Sequence, residues 1–224
     1  MKPQVVIFVA PPGAGKGTQA DILAEKFGFV HIESSKIIEK KFSNSDPLDE
    51  KMNKEKKNWL TGELVDPEMV TNWIIEEIKQ YAAQGKSLVF SASPRTEYEA
   101  MKQIPIHIEL YGKENIKLFH IFIDEEASVE RNSNRRICEK NRHPIPNIPE
   151  FKNIDSCPHD GSKLVKRELD TPDVIRERFR TYHRRTEPVF KIFRDAGFEP
   201  INIDGEQSIE DVSKEILSHF SENQ

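Results

Sequence analysis

The sequence is poor in cysteine, in long apolar runs and in excess charge of either sign. Its two cysteines, Cys138 and Cys157, are too few for a disulfide framework. The early apolar run at 5–10 is too short to cross a membrane and lacks a signal-peptide profile. Lys and Arg total 33 against 38 acidic residues, a net charge of −5, so nothing indicates nucleic acid or an anionic membrane as partner. We expect a cytoplasmic protein that binds small molecules.

Short apolar segments alternate with helical patterns along the chain. Residues 5–9 and 87–90 are predicted buried strands, 118–123 are a further predicted strand, and 30–32 and 200–203 are predicted shorter strands. Strands that alternate with helices indicate an α/β protein whose mostly parallel sheet is covered by helices on both faces.

Several residues mark where helices begin. The predicted caps are Ser34 or Ser35 for a helix that starts at Lys36, Asp66 before Pro67, Thr171 before Pro172, and Ser208. The helix that begins at Thr171 is predicted to continue to Phe193, and an arginine-rich helix is predicted to continue through Arg136.

Two polar stretches interrupt the alternation. Residues 40–60 are dominated by Lys, Asn, Asp and Glu, and 137–170 are rich in proline, asparagine and charge with little periodicity. The insertions that contain these residues are predicted at 33–66 and 137–169. We therefore predict one core, made of 1–32, 67–136 and 170–224, that carries two insertions. The second insertion is predicted to be loop-like.

A glycine-rich turn follows the first strand. Residues 10–18 are Ala-Pro-Pro-Gly-Ala-Gly-Lys-Gly-Thr and precede a helix. Glycines let successive N–H groups surround a phosphate, the helix N-terminus adds a favourable dipole, and Lys16 adds a charge for the outer phosphates. Two positions depart from the general P-loop pattern, since Ala10 replaces its first glycine and Gly17 separates Lys16 from Thr18.

The order of the motifs resembles that of the adenylate kinase family. Residues 12–20 resemble that family's phosphate loop, and further short matches follow in the family's order at 62–65, 94–96, 131–136, 161–167, 178, 182–183 and 204–205. The resemblance implies a P-loop NTPase fold with a five-stranded parallel sheet flanked by helices. It also implies that 33–66 bind the nucleoside monophosphate and that 137–169 form a lid. The expected enzyme is a monomer that uses ATP with Mg²⁺ to phosphorylate a nucleoside monophosphate, AMP first among them.

The resemblance also assigns roles to residues. The positions that it gives to ATP are Gly13, Ala14, Gly15, Lys16, Gly17, Thr18, Arg131, Arg135 and Gln207. The positions that it gives to the acceptor are Ser34, Leu64, Val65, Arg95, Glu99, Arg167 and Arg178. The expected catalytic cations are Lys16, Arg95, Arg131, Arg167 and Arg178, because phosphoryl transfer depends on alignment and on positive charge around the transition state.

Three positions on the acceptor side depart from the family pattern. Glu39 stands where the family has an arginine for the acceptor phosphate, and Ser91 stands where it has an aspartate that orients the Mg²⁺ shell. Glu99 replaces a glutamine that contacts the base; an ionised glutamate only accepts hydrogen bonds, which suits guanine. Lys36 and Lys40 are the candidates to replace the lost cation.

These departures leave alternatives open. The acceptor could be GMP or another monophosphate, the protein could be a catalytically weak nucleotide sensor, or it could be a nucleotide-hydrolysing switch. Glu99 could equally be an exposed helix residue. The remaining histidines lack nucleophile or metal spacing and are expected to be structural, namely His31, His107, His120, His183 and His219.

The lid sequence suggests a metal. Cys138, Cys157 and Asp160 are ligand types that zinc accepts, with His143 as the tentative fourth ligand and His159 as its substitute. Asn141 occupies a ligand position of the family pattern and is a poor ligand. A structural Zn²⁺ and a metal-free lid held by hydrogen bonds both remain open.

Overall fold

A computed structural model describes residues 2–60, 65–141, 143–167 and 170–220. Leu64, a predicted acceptor residue, lies outside these ranges. The chain divides into two compact units. The first unit contains Met1–Val9, Ala20–Phe119 and Arg185–Ile201, and the second contains Ala10–Gln19, His120–Arg184 and Asn202–Gln224.

Five strands form the main parallel sheet. They are β1 (Val5–Val9), β2 (Val30–Ile32), β3 (Leu88–Phe90), β4 (Ile116–Phe122) and β8 (Ile201–Asp204), in the order β2-β3-β1-β4-β8. The register places Val5 beside Leu88 and His31 beside Val89. Every residue of β1 and β3 is buried, as continuous apolar runs predict for strands covered on both faces. The predicted fold class is confirmed.

Nine α-helices are described: α1 (Lys16–Phe27), α2 (Ser34–Ser43), α3 (Glu50–Leu60), α4 (Pro67–Ala83), α5 (Glu97–Tyr111), α6 (Glu125–Asn134), α7 (Pro172–Thr181), α8 (Val189–Asp195) and α9 (Ile209–Ser218). Among the residues that the structure describes, no helix is both long enough and apolar enough to span a membrane.

Local signals predicted three helix starts correctly. Helix α7 begins at Pro172, with Thr171 as its cap. The carboxylate of Asp66 accepts the Glu68 N–H at 2.9 Å, and the Ser208 hydroxyl accepts the Asp211 N–H at 3.1 Å. Helix α3 buries none of its residues, as expected from its Lys- and Glu-rich sequence.

Three predicted helix bounds were wrong. Helix α2 begins at Ser34, with Glu33 as its cap. Helix α6 ends at Asn134, because Arg136 already belongs to a strand. The helix predicted to run to Phe193 is interrupted by a π-helical turn at Tyr182–Thr186. Pro188 explains the interruption, since proline lacks an N–H and clashes with the carbonyl four residues earlier.

A second, antiparallel sheet lies in the stretch that was predicted to be loop-like. Its strands are β5 (Arg136–Cys138), β6 (Pro144–Ile145) and β7 (Leu164–Val165), in the order β6-β5-β7. A small core of Cys138, Ile145 and Cys157 packs with Phe151, Ile154 and Leu164. Strands of two or three residues are too short for a periodic sequence signal, which is why the prediction missed them.

Candidate functional site

The glycine-rich turn directly follows β1 and leads into α1. Gly13 has φ +83° and Gly15 has φ +87°, a conformation that side-chain-bearing residues rarely adopt. Gly13 is also closely packed, because a Cβ there would lie 2.5 Å from Nδ2 of Asn132. The turn thus needs glycine for both its conformation and its packing, and it ends at the N-terminus of a helix, where anions bind favourably.

Lys16, the first residue of α1, reaches back over this turn. Its Nζ donates to the carbonyl oxygens of Ala10 at 2.7 Å and Pro11 at 2.8 Å. Both acceptors are uncharged, so a phosphate oxygen would be a stronger partner for the ammonium group. The lysine is held where it can exchange a carbonyl for a phosphate.

Two residues of α6, Ser128 and Asn132, pack against the glycine-rich turn. The Ser128 hydroxyl donates to the Pro12 carbonyl at 2.7 Å, and Nδ2 of Asn132 donates to the Ser128 carbonyl at 2.8 Å. Both side chains are fully buried. No local sequence pattern predicts this role, because it depends on how α6 packs.

Arg131 contacts the loop after β8. Its Nη1 donates to the carbonyl oxygen of Gly205 at 2.6 Å. Gly205 itself has no room for a side chain, since a Cβ would lie 2.7 Å from Ile121 and 2.8 Å from Ile123. One guanidinium nitrogen therefore fixes the arginine against the backbone.

Asp170 brings two of the predicted arginines together. Its carboxylate accepts from Arg135 Nε at 2.7 Å and from Arg135 Nη2 at 3.0 Å, and Arg178 Nη1 lies 3.3 Å away. The Asp170 side chain is only 3% exposed. A buried carboxylate that carries three charge-assisted contacts holds both guanidinium groups in fixed positions. Sequence reasoning did not select Asp170.

Three further predicted residues, Gln207 for ATP and Arg167 and Val65 for the acceptor, make contacts within the protein. The side chain of Gln207 donates to the Asp204 carbonyl at 3.1 Å and to Glu215 at 2.9 Å. Arg167 is half-buried, and its carbonyl accepts the Asp170 N–H at 3.0 Å. Val65 is buried. These assignments remain predictions.

On the acceptor side, two predicted residues converge on one carbonyl. The Ser34 hydroxyl donates to the Ala92 oxygen at 3.1 Å, and Nε of Arg95 donates to the same oxygen at 2.8 Å. Ser34 follows β2 and Ala92 follows β3. The carboxyl ends of two parallel neighbours thus place a hydroxyl and a guanidinium group beside each other, at the sheet edge where α/β proteins bind ligands.

Glu99 holds the turn that carries Arg95. Its Oε2 accepts from the Arg95 N–H at 2.9 Å and from the Ser93 hydroxyl at 3.2 Å, and its Oε1 accepts from the Thr96 hydroxyl at 3.2 Å. Both carboxylate oxygens are therefore engaged with the protein. Base recognition by Glu99 would require some of these bonds to exchange.

The two lysines proposed to replace the lost cation each have an acidic partner. Lys36 pairs with Glu33, and Lys40 Nζ lies 2.8 Å from Oε1 of the buried Glu77. The hydrogen bond to Glu77, with the charge of that carboxylate, raises the pKa of Lys40. The charge of each ammonium group is thus already balanced by a neighbouring carboxylate.

Ser91 takes part in a contact that the sequence did not suggest. The Ser91 hydroxyl lies 2.6 Å from Nε2 of His31, and Nδ1 of His31 lies 2.8 Å from Oδ1 of Asp21. His31 was expected to be merely structural. Its pairing with Ser91 follows from the register of β2 and β3, which sequence periodicity does not reveal.

Four potential metal ligands gather in the second unit. The sulfur, nitrogen and oxygen donors of Cys138, His143, Cys157 and Asp160 all lie within 4.8 Å of one another. We call this group the lid cluster. The Nδ1 atom of His143 is 3.5 Å from each cysteine sulfur and 3.4 Å from Asp160 Oδ2. Tetrahedral zinc bound by such donors would separate them by roughly 3.3–3.8 Å. The residues therefore fit Zn²⁺.

Neighbouring groups orient the side chains of the lid cluster and shift their pKa values. Nδ2 of Asn141 donates to Asp160 Oδ2 at 2.7 Å, so Asn141 orients a ligand and is not one itself. Hydrogen bonds from the Ser162 side chain and backbone lower the pKa of the Asp160 carboxyl, while burial raises the pKa of the Cys157 thiol. His159 packs its ring against that of His143, with centroids 5.0 Å apart.

Comparison with known proteins identifies relatives across almost the whole chain. A family model described as adenylate kinase matches residues 8–198. An adenylate kinase of Petrotoga mobilis is 35% identical over 215 residues, which covers 95% of each chain. An adenylate kinase of Acetivibrio thermocellus is 30% identical over 96% of this chain and 97% of its own, and one of Thermococcus kodakarensis is 32% identical over 94% and 91%. The chain belongs to the adenylate kinase family of phosphotransferases.

Proposed function

We propose that this protein transfers the γ-phosphate of ATP to AMP and so produces two molecules of ADP. The observation that carries the proposal is the turn at residues 10–18, with two left-handed glycines and Lys16 at a helix N-terminus. Family membership supplies the reaction class and supports AMP as acceptor. The comparisons do not favour GMP as acceptor or a purely sensory role.

In this proposal the protein residues align the two nucleotides and compensate the negative charge of their phosphates. Lys16 exchanges its carbonyl partners for phosphate oxygens of ATP, and the N–H groups of the turn surround the same phosphates. Arg135 and Arg178, held by Asp170, supply positive charge to the transferring group, and Arg131 and Arg167 add to it. Arg95 binds the acceptor phosphate. Such fixed charges act most strongly on the transition state, where negative charge is spread over the transferring group.

Magnesium belongs to this proposal as part of the ATP substrate. Mg²⁺ neutralises phosphate charge and orients the phosphates when it is bound. Thr18 and Ser91 offer neutral hydroxyl oxygens, which fit the water shell that Mg²⁺ retains in proteins.

A panel assay tests the proposal. Production of diphosphate from ATP is measured with AMP, GMP, CMP and UMP as acceptors, and with no acceptor. We expect AMP to give the highest kcat/KM and the acceptor-free reaction to be negligible. A higher kcat/KM for GMP would contradict the AMP assignment, and turnover without acceptor would indicate a hydrolase.

We also propose that the lid cluster binds one structural Zn²⁺. Two observations support this proposal. The distances between the four donor atoms fit zinc, and hydrogen bonds from Asn141 and Ser162 orient the Asp160 carboxylate. Because bound thiols must lose their protons, zinc binding should release protons into the buffer. Metal analysis of protein purified without chelator should give about one zinc per chain. A value near zero, with both thiols free to react, would favour the hydrogen-bonded alternative.

The remaining assignments are proposals of the same kind. We infer that 33–66 form the acceptor-binding insertion and 137–169 the lid, on a core of 1–32, 67–136 and 170–224. We infer further that the protein acts as a cytoplasmic monomer on small-molecule nucleotides. Sedimentation at several protein concentrations tests the monomer, and hydrogen exchange with and without nucleotide tests whether protection changes within these two stretches.

A further inference from the structure

One carboxylate holds the turn that carries Arg95 between β3 and α5. Oε2 of Glu99 accepts the Arg95 backbone N–H at 2.9 Å and the Ser93 hydroxyl at 3.2 Å. Its Oε1 accepts the Thr96 hydroxyl at 3.2 Å, and the Glu99 N–H donates in return to Thr96 Oγ1 at 3.3 Å. The carboxylate therefore gathers three donors in the first turn of α5, where negative charge is favourable.

A buried side chain supports this arrangement from the interior. Nε2 of Gln103 donates to Ser93 Oγ at 2.8 Å, and Oε1 of Gln103 lies 3.1 Å from the same oxygen. Both residues are almost fully buried. A hydroxyl has one proton to donate, and an ionised carboxylate attracts it more strongly than a neutral amide oxygen does. Ser93 thus receives from Gln103 and donates to Glu99.

Arg95 is held at three points, all within the first unit. Glu99 accepts its N–H, and its carbonyl oxygen accepts the Thr186 hydroxyl at 3.0 Å. Its Nε donates to the Ala92 carbonyl at 2.8 Å, which uses one of the five N–H donors of the guanidinium group. The two backbone bonds set the direction in which the side chain leaves the turn, and the Nε bond orients the guanidinium plane.

We propose that Glu99 is a positioning residue for Arg95, and through it for the acceptor phosphate, and that Glu99 does not contact the acceptor base. A base that took either carboxylate oxygen would displace a hydrogen bond of the turn and release Arg95, so base recognition and phosphate binding would compete. Glu99 should therefore contribute equally to the binding of every nucleoside monophosphate. This inference rests on the proposed function for its ligand.

Selectivity separates positioning from base recognition. The kcat and KM for AMP, GMP, CMP and UMP are measured at saturating ATP, and the inhibition constant against AMP replaces KM for any acceptor that is not turned over. Glu99→Ala should lower kcat/KM for all acceptors by the same factor, up to about a hundredfold and mainly through KM, because Arg95 is displaced. The KM for ATP should not change. An altered ratio of AMP to GMP, or no loss at all, would overturn the proposal.

Glu99→Gln is the conservative variant. Its amide oxygen can still accept the Arg95 N–H, so it should recover most of the loss without altering the ratios among the acceptors. If Glu99 instead contacted the base, this variant would change base preference, because an amide also donates. Glu97→Ala removes another carboxylate of the same helical turn, at an exposed position, and is the matched control that should change neither constant.

Coupling to Arg95 separates positioning from a general loss of structure. Added to Arg95→Ala, Glu99→Ala should cause no further loss of affinity for AMP, because Glu99 acts through the Arg95 side chain. Equal losses in the two backgrounds would overturn the proposal. Calorimetric binding of AMP and GMP to the same variants needs no turnover. A protein that binds both without phosphorylating either would contradict the proposed function alone, whereas unequal losses of AMP and GMP binding would contradict this inference alone.

Discussion

In the second unit two arginines share one buried carboxylate, whereas in the first unit each lysine near the predicted acceptor residues has a carboxylate of its own. Arg135, Arg178 and Asp170 together carry a net charge of +1, from two cations and one anion. The pairs Lys36–Glu33 and Lys40–Glu77 are each neutral. Shared pairing leaves positive charge for a phosphate, and one-to-one pairing does not. We therefore expect an acceptor phosphate to depend on Arg95 more heavily than the sequence suggested.

The largest combined effect on stability and turnover is expected from breaking the shared pairing. Asp170→Asn removes the buried charge that Arg135 and Arg178 share and should lower the free energy of unfolding by about 1.5–3 kcal/mol. Turnover should fall as well, because the arginines lose their fixed positions. Chemical denaturation and steady-state kinetics measure both. Asp195→Asn, at an exposed pair with Lys191, is the control and should change little. Unchanged stability of Asp170→Asn would mean that the arginines find other partners.

Lys16→Ala tests the charge that lies over the phosphate loop. Loss of a fixed charge at the transition state should lower kcat by about a hundred- to a thousandfold. The melting temperature should stay nearly constant, because the hydrogen bonds from Lys16 Nζ to Ala10 and Pro11 go to carbonyl oxygens of the loop and not to the core. Lys26→Ala, at an exposed position of the same helix, should keep full activity. Near wild-type turnover in Lys16→Ala would remove this loop from the catalytic site.

The buried His107 allows a test of how an unpaired polar group in the first unit affects stability. The imidazole packs against Phe90, and neither ring nitrogen has a hydrogen-bond partner among the residues that the structure describes. Burial lowers the pKa of His107 to about 3. Below pH 6.5 the unfolded chain binds this proton and the folded protein does not, so stability falls as the pH falls towards 3.

His107→Leu should remove that dependence. Between pH 7 and pH 5 the wild type should lose about 2 kcal/mol of stability from this group, and the variant should not. His107→Gln, which is polar but does not titrate, separates the proton effect from the packing effect. Denaturation at several pH values measures the slopes, and equal slopes in the wild type and His107→Leu would contradict the assignment.

Glu39→Arg is expected to have the smallest effect. Replacing a carboxylate with a cation near the acceptor phosphate should lower the KM for AMP about tenfold, with little change in the KM for ATP. Glu109→Arg makes the same change of charge at an exposed position of α5 and should leave both constants unaltered. An equal effect of the two variants would show that only the overall charge matters.

Short-range features were predictable from the sequence, and long-range contacts were not. The bounds of β1 and the caps Asp66 and Ser208 depend on neighbouring residues, so the sequence predicted them correctly. The break at Tyr182–Thr186 had a local signal in Pro188 that was overlooked. The contact of His31 with Ser91 depends on strand register, and the support of Gly13 by Asn132 depends on helix packing. Asp170 was missed because its partners are distant in sequence.

The second sheet bears on how well the stretch 136–165 resists proteases. Its strands contain two or three residues each, so few backbone hydrogen bonds hold them. The small apolar core and the lid cluster add to these bonds, and the cluster connects β5 with the residues that precede β7. Alkylating Cys138 and Cys157 would sever that connection. The turnover of the intact polypeptide, and with it the abundance of the protein, would then depend on four side chains remote from the phosphate loop in sequence.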